Sequence, residues 1–189
     1  MIGREAPVTR YRKYGLEVRL AVGIAAALLL APRAWAQPKM EIRTDAFAPG
    51  APIPAKYTCS GDDVSPALSW SGVPQSAKAL ALIVDDPDAP SGTFVHWVVY
   101  NLPPRTTHLD EAVNKGAAMP GGGAQGRNDF GRDGYGGPCP PPGAPHHYRF
   151  RLFALNSQIA PQAPTGQAVE QAMEGHIIAT AEMMGTFQR

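Results

Sequence analysis

Asp86, Asp88, His96, His146 and Tyr148 are the residues of this 189-residue chain whose types suit one another chemically. Imidazole nitrogens and a phenol donate hydrogen bonds, glycine-rich backbone nearby supplies further N–H groups, and a neighbouring carboxylate favours the imidazolium form. Such a set suits a small anion, a phosphate or a carboxylate. Two histidines and a carboxylate also suit a metal site with open positions, a second chemistry for which the sequence supplies no ligand spacing. Taken alone, the stretch around His96 fits a structural histidine beside a plain Asx-Pro turn as well.

Other chemistries lack their residues. The chain has no G-x-S-x-G for a nucleophile elbow, no G-x-x-x-x-G-K-[ST] for a phosphate-cradling loop and no H-E-x-x-H. Its glycine-rich stretch has no flanking strand and helix that would make a dinucleotide fingerprint. The pairs and triples at Asp62, Asp63, Asp85, Asp86 and Asp88 lack the calcium-loop spacing. No catalytic residue, metal or cofactor is therefore assigned.

The elements that must position the set are legible around residues 79–101. Ala79 to Val84 is a short apolar run bounded by turn signals, the pattern of a strand buried on both faces, although periodicity alone also admits a buried helix segment. Proline steps through Asp86-Pro87-Asp88-Ala89-Pro90 fix the turn and present its aspartates. From Phe94 the residues alternate, which predicts one face of Phe94, His96, Val98 and Tyr100 and another of Val95, Trp97, Val99 and Asn101. Leu102-Pro103-Pro104 ends that strand, because proline donates nothing to a ladder.

Further strands are expected from Met40 to Phe47 and from Leu68 to Trp70. His146 to Leu155 also alternates, with His146, Tyr148, Phe150 and Leu152 on one face and His147, Arg149 and Arg151 on the other. Thr165 to Phe187 has helical composition, with Gly175 as a break and Gly185 as a stop. Between Lys115 and Pro145 lie ten glycines and six prolines. A loop of that length is functional or disordered as a rule, and its aromatics and cysteine favour order.

Twenty glycines, 20 prolines and only 17% charged residues describe a folded, loop-rich chain of mostly β class, long enough for one domain. Arg4, Arg10, Arg12, Lys13 and Arg19 precede the apolar Leu20 to Ala31, and Ala34-Trp35-Ala36 is an A-x-A cleavage signal, so residues 1–36 read as a cleaved secretory signal and 37–189 as the domain. Twelve apolar residues fall short of the ~20 that span a bilayer, so no stable membrane anchor is expected after cleavage. Removal of residues 1–36 takes six of 17 Lys/Arg and two of 16 Asp/Glu, leaving 11 and 14 and a net charge of −3. With no basic run, a nucleic-acid partner is not expected. In an exported chain, periplasmic or secreted, Cys59 and Cys139 read as a disulfide, with two free buried thiols as the alternative.

At Ser65-Pro66-Ala67-Leu68-Ser69-Trp70, Asp86-Pro87-Asp88-Ala89-Pro90, Val95-His96-Trp97, Tyr135-Gly136-Gly137-Pro138 and His146-His147-Tyr148-Arg149-Phe150 the chain resembles the phosphatidylethanolamine-binding protein family, also called Raf kinase inhibitor-like proteins, and in particular its bacterial branch. The resemblance implies an antiparallel β-sandwich with a Greek-key element and short flanking C-terminal helices. It also implies a ligand pocket at one end, lined by Asp86, His96, His146 and Tyr148, with Asp88 shaping the turn and Gly137 and Pro138 on the rim. His147 stands where the family usually has Arg; by parity it points away from the pocket. The expected function is an exported module binding a phosphate or phosphoryl headgroup without turnover, in a family whose members also inhibit kinases or proteases. The alternatives are a metal-assisted hydrolase using His96, His146 and Asp86, and a protein-interaction module with a vestigial pocket whose partner the sequence does not identify.

Overall fold

The computed structural model describes Gly3 and residues 39–189 apart from Pro120. The signal-segment reading of residues 1–36 therefore lies outside the described residues, Gly3 excepted. Two antiparallel sheets carry the architecture. Strands β1 (Glu41–Arg43), β2 (Leu68–Ser71) and β5 (His108–Leu109) form the smaller, in the order β1-β2-β5. The larger runs β6-β4-β3-β7-β8, from β3 (Ala79–Asp86), β4 (Phe94–Leu102), β6 (Ala124–Gln125), β7 (His146–Leu155) and β8 (Ile177–Phe187). A mostly β sandwich is thus what the chain builds.

Burial follows from side-chain parity. Leu80, Leu82 and Val84 of β3 pack with Trp97, Tyr148, Phe150 and Leu152 against Ile42, Leu68 and Trp70 of the smaller sheet. The opposite face of β3, Ala79, Ala81 and Ile83, packs with Val98 and Leu155 beneath α1 (Gly166–Met173), which contributes Val169 and Met173. Because both faces are covered, every residue of β3 is buried. Thr165 caps α1, its Oγ1 accepting Ala168 N–H at 3.3 Å.

Four expectations need correction. The expected strand from Met40 to Phe47 shrinks to Glu41–Arg43, and β3 continues past Val84 through Asp85 to Asp86, a residue expected in the turn. The second half of the expected C-terminal helical region is a strand: β8 pairs with β7 from His146↔Phe187 to Leu155↔Ile177. Ala, Glu and Met are good helix formers, but intrinsic propensity is a small term, and backbone pairing along the whole of β7, with Ala181 and Met183 turned into the core, outweighs it. One C-terminal helix, α1, remains.

The fourth correction concerns the faces of β4. Val84 pairs with Trp97 but Asp85 pairs with Val95, so His96 is the extra residue of a β-bulge. Beyond the bulge the expected faces hold, with Trp97 and Val99 in the inter-sheet core and Val98 and Tyr100 on the α1 side, but before it the order is reversed, and Val95 packs with Val98 and Tyr100 rather than with Trp97. His96 stacks edge-on against Tyr148, its ring centroid 5.2 Å away, and so turns to the Trp97 side rather than following Val98.

The 115–145 stretch is held by buried amide side chains. Gln125 Oε1 accepts Trp97 Nε1–H at 2.7 Å, while its Nε2 donates to the Asn114 and Gly116 carbonyls. Asn128 Nδ2 donates to the Gly134 carbonyl, and its Oδ1 accepts from Phe130 and Arg132 N–H. Cys59 and Cys139 are joined as a disulfide across 80 residues.

Candidate functional site

The end of the larger sheet gathers three of the expected groups. Asp86 closes β3, His146 opens β7 on the same face, and the bulge delivers His96 from β4. Together they line a cavity of about 160 Å³. The turn after β3 supplies Ala89 to Ser91, and Cys139, Pro140 and Pro141 form the opposite wall. Phe94 and Phe130 complete it, with ring centroids 4.8 Å apart and each within about 5.3 Å of the His96 ring.

Hydrogen bonds fix both imidazoles. His146 Nδ1–H donates to Asp86 Oδ2 at 2.7 Å, with the two side chains 12% and 4% exposed. His96 Nδ1–H donates to the Gly136 carbonyl at 2.8 Å, and Gly136 N–H returns a bond to the His96 carbonyl at 2.9 Å. A carbonyl only accepts, so the proton on His96 Nδ1 is required, and Nε2 is the nitrogen left for a ligand. Asp86 Oδ1 also accepts Asp88 N–H at 2.8 Å, which locks the turn onto the carboxylate.

Burial pushes His96 below the ordinary imidazole value, against the opposing pull of the Gly136 carbonyl and the Asp86 charge. The neutral ring offers a lone pair at Nε2, and the protonated ring an N–H. Tyr148 is fully buried, and its hydroxyl has no hydrogen-bond partner among the described residues. Burial first, then the Asp86 charge, push its phenol far above the ordinary value, so it stays protonated.

Not every expected site residue reaches the cavity. Tyr148 backs the His96 ring rather than forming the wall. Asp88 turns outward, its Oδ2 accepting both His147 N–H at 2.8 Å and His147 Nδ1–H at 2.7 Å; these bonds hold its carboxyl below the ordinary range. Gly137 and Pro138 lie behind the wall: Gly137 N–H donates to Asp63 Oδ1 at 2.6 Å, and the Pro138 carbonyl accepts Cys59 N–H at 3.1 Å. Phe94, Phe130 and Pro140-Pro141 line the cavity without having been expected there, although Phe94 was placed on the face of His96. Their signal was confined to aromatic and proline spacing around the expected set.

Two further features lie outside the cavity. Asp85, fully buried and one residue from Asp86, faces the α1 side and pairs with Arg149 Nε at 2.7 Å and with Arg151, which also reaches Glu170 at 2.7 Å. A larger groove of about 640 Å³ lies between β1 and β8, where Lys39, Arg43 and Arg151 are balanced by Glu41 and Glu182 without any histidine. Among the described residues no group of three or more His, Cys, Asp or Glu is disposed around a metal position, and no helix is long and apolar enough to cross a membrane.

Comparison with known proteins converges on one family. The family profile described as phosphatidylethanolamine-binding protein matches residues 43–188. A UPF0098 protein of Methanothermobacter thermautotrophicus is 49% identical over 152 residues, covering 79% of this chain and 99% of that protein. The crystal structure of a putative phosphatidylethanolamine-binding protein homologue from Chlamydia trachomatis superposes with a TM-score of 0.72 at 44% identity, covering 80% of this chain and 98% of that one. The structure of YbcL from Escherichia coli, described as a new member of the mammalian family, gives 0.75 at 36% identity, covering 80% and 99%.

Proposed function

The chain belongs to the phosphatidylethanolamine-binding protein family, and we propose that it is an exported module that binds a small phosphoryl or carboxylate anion in the cavity between Asp86, His96 and His146. The observation that carries this reading is the anchoring of both imidazoles through Nδ1, one to a buried carboxylate and one to a main-chain carbonyl. Each ring keeps Nε2 for a ligand. Protonated, the pair presents two N–H donors in a small cavity with hydrophobic walls, and one imidazolium offsets Asp86 while the other supplies the net charge an anion needs. About 160 Å³ suits a headgroup or an inorganic anion rather than a drug-sized molecule. Export rests on the basic n-region, apolar segment and Ala34-Trp35-Ala36 of the sequence. Modulation of a partner protein belongs to this reading at the rim, where the Phe130 ring is 41% exposed.

Calorimetric titration of the protein with O-phosphorylethanolamine and inorganic phosphate tests the reading, beside a His96→Ala, His146→Ala double variant. Saturable binding lost in the variant supports it; no binding by folded wild type rejects it. The same Nδ1 anchoring is how metal-binding histidines are oriented, which favours metal-assisted hydrolysis as the second reading. A stoichiometric transition metal retained through mild purification, with phosphoester hydrolysis dependent on His96 and His146, would establish that reading in place of the first.

A further inference from the structure

Asp63 does not line the cavity, yet one peptide group connects it to the imidazole there. Its Oδ1 accepts Gly137 N–H at 2.6 Å, and the Gly136 carbonyl, the other end of that same peptide, accepts His96 Nδ1–H at 2.8 Å. We propose that Asp63 is a positioning residue for the site: through the Gly136–Gly137 peptide it orients and polarises the carbonyl that holds the His96 ring, and so keeps Nε2 as the nitrogen available to a ligand.

The physical basis is the planar peptide, whose N–H and C=O point in opposite directions along one conjugated unit. A carboxylate drawing on the N–H makes the carbonyl oxygen more negative and a stronger acceptor, and chained bonds reinforce one another in a low-dielectric interior. Nothing intervenes: a side chain at Gly137 would collide with the Tyr57 carbonyl, Thr58 Cα and Asp63 Oδ1 itself. The carboxylate is held in place from its other side. Oδ2 takes Lys115 Nζ at 2.7 Å and Arg132 Nη2 at 3.0 Å, which leaves Oδ1 to the peptide. Partial burial alone would raise the Asp63 carboxyl, but Lys115, the Gly137 bond and Arg132 outweigh it and hold the group ionised below the ordinary carboxylate range. Asp63 also keeps φ at +54°, a left-handed conformation that a non-glycine residue holds at a cost where its surroundings impose it.

His96 is faced by Asp86 of β3, by His146 and Tyr148 of β7, and by Asp129 of the 115–145 loop. Asp63 differs from these in acting through a bonded peptide. The inference rests on His96 as a ligand-holding group, but its test reads the imidazole with no ligand present.

Histidine ring nitrogens in the full chain are followed by NMR through a pH titration for wild type, Asp63→Asn and Asp62→Asn. Asp63→Asn removes the charge, and its single amide oxygen serves either Gly137 N–H or the Lys115 and Arg132 cations, so the peptide is less polarised in either orientation; Asp62→Asn removes equal charge from the exposed neighbouring residue. In the wild type the Gly137 amide proton should move with the midpoint of His96. In Asp63→Asn that midpoint should fall by about half a pH unit or more, or the ring should populate both tautomers. Asp62→Asn should do neither. An unchanged midpoint and tautomer in Asp63→Asn, or an equal effect from Asp62→Asn, overturns the proposal. Should Asp63→Asn fail to fold, a wild-type Gly137 amide indifferent to the His96 titration overturns it. A parallel phosphate titration separates the two readings. Failure of wild type to bind rejects the anion site and leaves the His96 comparison decisive for Asp63.

Discussion

His146 Nδ1 lies 2.7 Å from Asp86 Oδ2, and neither side chain is more than 12% exposed. The pair sits at adjoining ends of β3 and β7, on the face that also carries Tyr148. Asp86 thereby sets the orientation of His146 and places a negative charge against its ring.

Asp86→Asn should therefore weaken phosphate binding by about tenfold while leaving the fold intact, because an amide group in place of Oδ2 leaves His146 Nδ1–H without its charged acceptor. The introduced amide oxygen still accepts Asp88 N–H, so the turn survives. Calorimetry of the variant, with circular dichroism as the folding control, measures the change.

The neighbouring carboxylate belongs to stability instead. Asp85 is fully buried against Arg149 and Arg151, and Asp85→Ala should cost about 3 kcal/mol by leaving two partly buried guanidinium groups without their shared partner. The loss should appear as a lower urea midpoint.

A strand's period of two accounts for this division between Asp85 and Asp86, and much of the site was legible through that period. His146 and Tyr148 share a face in the sequence of β7 as they do in space, and the apolar run of β3 announces a central strand. His96 was harder. Its type and neighbourhood were visible, but the bulge that groups it with Trp97 depends on pairing with β3, a relation between strands that no local pattern encodes. The residues of β8 read as helix for a similar reason: local propensity pointed one way and pairing with β7 the other. Asp63 was legible only as one of an acidic pair without calcium-loop spacing, since Gly137, the group it serves, lies 74 residues on.

Reduction of Cys59–Cys139 should destabilise the protein by about 4 kcal/mol on the chain-entropy view, given 80 residues in the closed loop. Cys139 is also part of the cavity wall with Pro140 and Pro141. Denaturation with and without reductant measures the first effect, and anion titration of the reduced but folded protein should show weaker binding.

If imidazolium groups hold the anion, as proposed, binding must depend on pH, and that dependence can be measured. Burial sets His96 below the ordinary ~6.5 in the free protein, whereas a bound anion raises it, so binding takes up a proton and tightens as pH falls. Sulfate, whose charge does not change over the range, is titrated calorimetrically at about pH 6 and about pH 8, in buffers of different ionisation enthalpy. Affinity should be at least about tenfold higher at the lower pH, with net uptake approaching about one proton per site. Affinity independent of pH, with no buffer-dependent heat, would contradict imidazolium binding of the anion.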